Sequence, residues 1–350
     1  MSKQEELKVI ATLKTWMMLL VVLYHSAALW SPAGWFNQKP QTPSLVLPVL
    51  TEYLNTIHIY VFAFASGYLF YFSNFIKKNE FDTKAVIRKR AAKLLVPYGI
   101  VTVFWLLPFE LFFFHEGAQE LISKFLLGTA PRQLWFLLML WGVNVVFCFW
   151  IKWIRKSLSL IKGMLFLYGI YIMGAFFIRT NIPNYFQIFT VMRYLLFFFF
   201  GYAVCREGIQ LIKNIHTVAL TVGHVTLFVL VYYLNHDAQG LFRTASIFLT
   251  PIVSLTGIIV FYKLVDYMTK RKERKHQGNT GRIGILFREN EFAVYLFHQQ
   301  WIWVVVYVMN NPHVPPILIV FTGFFVSVMI SVLMAVGLKR IPKSAKLLSI

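Results

Sequence analysis

Ten apolar runs, each close to the 20 residues that a helix needs to cross a bilayer, occupy most of this chain. They cover residues 9–30, 56–73, 94–114, 133–151, 160–178, 186–205, 216–234, 243–262, 292–310 and 315–338. The longest segments between them, 31–55, 74–93 and 263–291, are too short for a soluble domain. With 58% hydrophobic and only 14% charged residues, a soluble globular fold is excluded. The expected fold is an all-α integral membrane protein, a bundle of about ten transmembrane helices forming one domain over residues 1–350. The thirty-five phenylalanines suit a lipid-facing surface. Cys148 and Cys205 each lie inside an apolar run and are expected as buried free thiols, with no disulfide framework and no metal-ligand spacing. The first run is too long for a signal peptide, contains Lys14, and is followed by nine more.

The net charge of +20 is no nucleic-acid signature, because the charges cluster between the apolar runs. Their distribution instead sets an orientation, since cytoplasmic loops hold the excess of Lys and Arg. With the N-terminus inside, the inner segments carry 27 basic residues and the outer loops five, namely Lys39, Lys124, Arg132, Arg179 and Arg243. Both termini are therefore expected on the cytoplasmic side. Two basic residues remain within the runs, Lys14 and Arg193.

An ionised side chain at mid-membrane costs roughly 2.5–3.5 kcal/mol on insertion scales, so such residues face the bundle interior and mark a pathway or a site. Lys14 and His25 are eleven positions apart. At about 100° per residue they return to within roughly 20° of one direction, about 16 Å apart along the axis. They share a face, with Lys14 toward the cytoplasm and His25 toward the outside. That spacing suits an extended molecule with an anionic end at Lys14 and a reacting group near His25. The alternative for Lys14 is an ammonium that snorkels to the inner interface. Helix counting places His58, Glu110, Gln133 and Arg193 in the outer half of their runs. A histidine near a carboxylate in a partly dry site has the makings of a general base. His224 has no supporting pattern and is expected to hydrogen-bond a neighbouring helix. Arg88, Lys89, Arg90 and Lys93 enter the third run from the cytoplasmic loop, where they bind phosphates or anchor the helix to anionic lipid.

Five motifs in chain order resemble the membrane acyltransferase 3 family. Lys14 and His25 match its first-helix spacing, with Lys in place of the usual Arg. "HIYVFAFASGYLF" (58–70) resembles the His-Met-Pro-Leu-Phe and Ser-Gly-Tyr pattern through His58, Phe62, Ser66, Gly67 and Tyr68. "RAAKLLVPY" (90–98) resembles Arg-x-x-Arg-Leu-Leu-x-Pro-Tyr, with Lys93 for the second Arg. "QLWFLLML" (133–140) resembles His-Leu-Trp-Phe-Leu, with Gln133 for His. "NEFAVYLFHQ" (290–299) resembles Asn-Ser-x-x-x-Tyr-Leu-x-His, with Glu291 for Ser. The lysine form of the first motif is most similar to the fucose 4-O-acetylase-like branch.

The resemblance implies transfer of an acyl group, usually acetyl, from cytoplasmic acyl-CoA to a sugar hydroxyl of a surface polysaccharide or its lipid-linked precursor. No appended extracytoplasmic esterase-like domain is expected, no bound cofactor or metal is implied, and the chain is expected in the bacterial cytoplasmic membrane, with a homodimer open. The donor phosphates would meet Lys14, Arg90 and Lys93. His25 would act on the acceptor hydroxyl, with His58 or Glu110 to orient it, and Arg193 and His298 would serve the acceptor. Trp135 and Tyr295 are expected in packing, and Ser66-Gly67 at a close helix contact. A glycan or lipid transporter is the alternative from another class, since basic and histidine residues in a ten-helix bundle suit that as well. A degenerate member with a regulatory or structural role is a third reading, given the changes at 14, 93 and 133. The orientation has a direct check: a C-terminal reporter active only outside the cytoplasm should be silent, and strong activity would overturn the even number of crossings.

Overall fold

The computed structural model describes residues 3–32, 36–77, 81–157, 159–236, 240–274 and 282–350, all helix and connecting turn, with no β-strand among them. Ten segments are long and apolar enough to cross a membrane: Lys3–Trp30, Val46–Ile76, Thr83–Phe114, Arg132–Ile151, Leu160–Ile178, Tyr185–Glu207, Thr217–His236, Thr244–Arg271, Gly284–Met309 and Pro316–Arg340. They are called the first to tenth spans below. Each overlaps one of the ten apolar runs.

The helices extend beyond the apolar runs at their polar ends. The third span begins at Thr83, not near residue 94, because Asp82 caps it by accepting from the backbone N–H of Lys84 at 2.9 Å and of Ala85 at 3.3 Å. Arg90 and Lys93 therefore lie on a formed helix. The eighth and ninth spans belong to the longer helices Gly240–Arg274 and Arg282–Met309, so much of the expected 263–291 loop is helical. Lys and Arg are good helix formers, and a helix already nucleated in lipid propagates through them. The second span is broken: Val46–Asn55 ends at Thr56, and a new helix, His58–Tyr71, starts two residues on.

The chain divides into two compact units. The first comprises residues 1–59 and 260–350. In it the first span packs on the ninth and tenth, which pack extensively on each other. Leu13, Met17 and Val22 of the first span and Ala293, Leu296 and Val306 of the ninth are fully or almost fully buried. The second unit comprises residues 60–259. Its centre is the sixth span, the most buried of the ten, flanked by the fourth and fifth. The fifth and seventh spans are mostly exposed and carry Phe166, Phe176, Val222 and Val229 outward, as a lipid-facing surface requires. Not all the phenylalanines face outward. Phe70, Phe147 and Phe198 are fully buried and pack mutually edge to face, with centroids 4.9–5.6 Å apart. Cys148 and Cys205 are buried free thiols.

The helix His58–Tyr71 meets the sixth span through a reciprocal pair of glycines. A Cβ on Gly67 would stand 1.8 Å from the Phe198 carbonyl oxygen, and one on Gly201 would stand 1.8 Å from that of Phe64. Only hydrogen fits at either place, so the two backbones touch there. The expected close packing at Ser66-Gly67 is thus realised by Gly67. Gly67→Ala and Gly201→Ala should each destabilise the bundle by about 1–3 kcal/mol or more, the usual cost of overpacking. Gly169→Ala, where a Cβ meets nothing within 4 Å, should instead be neutral or stabilising by up to about 1 kcal/mol. Thermal unfolding of the purified protein in detergent separates the three; equal melting temperatures would show that the close contact is not made.

Candidate active site

Three histidines gather in the first unit. His25 lies near the end of the first helix, His58 opens the second half of the broken second span, and His298 sits midway along the ninth, and all three are buried. The Tyr24 ring joins two of them, tilted against His58 at 4.8 Å and edge-on to His25 at 5.0 Å.

Each ring bonds the carbonyl four residues back on its own chain: His25 to Val21, His58 to Leu54 and His298 to Val294. This is the local bonding that short polar side chains make within helices. It also assigns tautomers through the hydrogen-bond pattern. His298 Nδ1 lies 2.8 Å from the Val294 oxygen and 3.0 Å from the Tyr295 oxygen. Carbonyls only accept, so this nitrogen carries the proton. In the neutral ring, Nε2 then carries the lone pair. His25 Nδ1 stands 3.0 Å from it and must donate. The remaining nitrogen of a neutral His25, Nε2, is consequently basic. The same logic leaves Nε2 of a neutral His58 basic.

His298 is thus a group that bonds His25 across helices. Glu110 belongs to the second unit, where both its oxygens accept from Arg132, at 2.6 Å from Nε and 2.8 Å from Nη2. A carboxylate only 1% exposed needs a full counter-charge, and the planar guanidinium fork supplies it in two aligned bonds. Arg132 also lies over the Phe114 ring and within 3.8 Å of Glu116, which itself pairs with Lys124. This network accounts for Glu110 as a structural ion pair.

Lys14 is paired as well. Its Nζ donates to Glu291 Oε1 at 2.9 Å, and Thr15 Oγ1 donates to the other carboxylate oxygen at 3.1 Å. The two residues at which this sequence departs from the motifs of the first and ninth helices therefore face one another as a salt bridge. A carboxylate one residue into the last motif was the available signal for this pairing.

The remaining candidates, apart from Tyr295 of the first unit, lie in the second unit. Arg90 neighbours Cys148 of the fourth span, and Lys93 is exposed. Arg193 donates to the Tyr60 hydroxyl at 2.8 Å and the Tyr171 hydroxyl at 3.4 Å. Gln133 is buried. His224 bonds Thr256 Oγ1 of the eighth span at 3.1 Å, the interhelical role its isolation in the sequence suggested. Trp135 packs against Tyr194, and Tyr295 stacks on Phe292.

A family model described as an acyltransferase domain, acyltransferase 3, matches residues 8–336. The chain belongs to the acyltransferase 3 family. No curated protein and no solved structure matches it. This membership makes the chain a multi-pass membrane protein and an acyltransferase, and the match spans all ten crossing segments. A buried histidine that donates from Nδ1 to a second histidine is, as a neutral ring, basic at Nε2.

Proposed function

We propose that this acyltransferase moves an acetyl group from cytoplasmic acyl-CoA to a sugar hydroxyl of a surface polysaccharide or its lipid-linked precursor, in the bacterial cytoplasmic membrane. The observation that carries the reading is the hydrogen bond from His25 Nδ1 to His298 Nε2. His25 Nε2 takes the proton of the acceptor hydroxyl as its oxygen attacks the thioester carbonyl. The tetrahedral adduct collapses, the C–S bond breaks, and the proton passes from His25 to the departing thiolate. Throughout, His298 accepts from His25 Nδ1–H, a bond that strengthens as His25 becomes an imidazolium. His298 acts here as a positioning residue for the base.

The donor side of the proposal rests on charge. A phosphate group of acyl-CoA competes with Glu291 for the Lys14 ammonium, and Lys contacts phosphate as a point charge. Arg90 and Lys93 of the second unit lie on an ordered helix, Thr83–Val101.

Membranes containing the protein, incubated with radiolabelled acetyl-CoA and glycan acceptor, test the catalytic step. His25→Ala should lower kcat by about 10²–10⁴-fold, as loss of a general base does, and His224→Ala should do far less. His298→Ala should lower kcat with little change in KM. His298→Gln should recover part of that loss, because its amide oxygen still accepts from Nδ1–H. Equal behaviour of the His25 and His224 variants would reduce His25 to a packing residue, and absence of label on any glycan would favour transport.

Titration of acetyl-CoA tests the donor contact separately. Lys14→Gln should raise its apparent KM by about 10- to 150-fold, the range for a charge-assisted hydrogen bond. Glu291→Gln should lower the same constant by releasing Lys14, with the acceptor constant little altered in both. Unchanged acetyl-CoA constants in the two variants would remove Lys14 from donor binding and leave its salt bridge as a structural one.

A further inference from the structure

The second unit holds a part-buried cation that pairs with no carboxylate among the described residues. Arg193 lies in the sixth span, five residues after the start of its α-helix at Ile188, which is about 7.5 Å along the helix axis. Its Nε is buried and bonds nothing. Nη2 meets only phenol oxygens, those of Tyr60 and Tyr171. Tyr60 in turn stacks on Tyr194, with centroids 4.9 Å apart and planes 13° apart. Four groups thus share one place, and all the charge among them is one guanidinium.

Among the described residues of this unit, no acidic side chain neutralises it. The sequence has no Asp or Glu between Glu120 and Glu207. The other described acids of this unit are engaged elsewhere: Glu110 and Glu116 with Arg132, Glu116 and Glu120 with Lys124, Glu207 with Arg206, and Asp82 at a helix cap. Among the described residues, Arg193 pairs with no carboxylate. A guanidinium cannot shed its proton to escape the cost of leaving water, and a lone charge within a membrane span is retained only where something compensates it. The open Nε–H beside the Nη donors is half of a fork whose spacing fits the two oxygens of a carboxylate or phosphate. The phenols add hydroxyl donors around it.

We infer that Arg193, with the hydroxyls of Tyr60, Tyr171 and Tyr194, forms a subsite for an oxyanion, a carboxylate or phosphate group carried by the acceptor. This deepens the acyl-transfer reading and rests on it for the identity of the carrier; the requirement for an anion rests on the uncompensated charge alone. The acceptor class is then an anionic glycan or a glycan on a lipid phosphate, and neutral sugars are disfavoured.

Thermal unfolding of the purified full chain in a neutral detergent tests the subsite without donor or turnover. The probes are glucuronate and glucose 1-phosphate for a sugar-borne anion, a polyprenyl phosphate for a lipid-borne one, and glucose as the neutral control. At least one anionic probe should raise the melting temperature in a saturable way while glucose does not. The arm that responds identifies the carrier. Arg193→Gln should weaken that binding by at least about 10-fold. Tyr60→Phe, which leaves the charge and removes one hydroxyl that holds it, serves where the Gln variant does not fold, and it should weaken binding several-fold. Protection by no anion beyond that given by glucose would overturn the subsite, as would protection that persists undiminished in both variants. Acetyl transfer to a glycan without anion protection would sink the subsite and spare the reaction. Anion protection in a chain that transfers nothing would do the reverse.

Discussion

A polar group inside hydrocarbon has no water to turn to, and the whole interior of this protein is arranged around that fact. Lys14 takes Glu291, Glu110 takes Arg132, and His224 takes Thr256. The histidines of the first unit take their own helical carbonyls. Each solution is local or pairwise, and each consumes the hydrogen-bonding capacity of the group it satisfies. Two of these groups are informative. A neutral His25 that donates from Nδ1 is basic at Nε2, and the guanidinium of Arg193 pairs with no carboxylate among the described residues. Proton transfer needs the first, and recognition of an anion needs the second.

The histidine pair illustrates how little machinery a base requires when the helix backbone does the orienting. A histidine that bonds the carbonyl four residues back has its Nδ1 proton committed and its ring direction set by the helix itself. Adding His298 Nε2 as a second acceptor ties the first span to the ninth. No carboxylate is used for this purpose. A carboxylate would bring a second buried charge with its own desolvation cost, whereas a neutral imidazole gives the same tautomer control without it.

Packing in the two units follows different rules, both readable in the residue types involved. In the second unit, glycines bring two backbones into contact and phenylalanines fill the space beside them. Lipid is as apolar as a phenylalanine ring, so burying such rings gains nothing from solvent exclusion, and it is close contact and shape that hold the helices. In the first unit, polar links run between the helices: the Lys14–Glu291 bridge and the His25–His298 bond both join the first span to the ninth.

The sequence by itself determined that ten helices cross a membrane, because span length and loop charge are properties of contiguous residues and need no tertiary information. It also singled out Lys14, His25 and Arg193, because an ionisable residue in an apolar run is conspicuous wherever it ends up, and the resemblance of the last motif added His298. Glu110 was equally conspicuous, yet its use was not legible: a carboxylate at a span end reads the same whether it orients a histidine or neutralises Arg132. Which group meets which was decided only by tertiary structure. His25 and His298 are 273 residues apart, and Lys14 and Glu291 are 277 apart. Helical periodicity fixes the face a side chain takes on its own helix and says nothing of the helix opposite. The three tyrosines around Arg193 were invisible for the same reason, since a tyrosine in an apolar run reads as packing until its hydroxyl is found beside a cation.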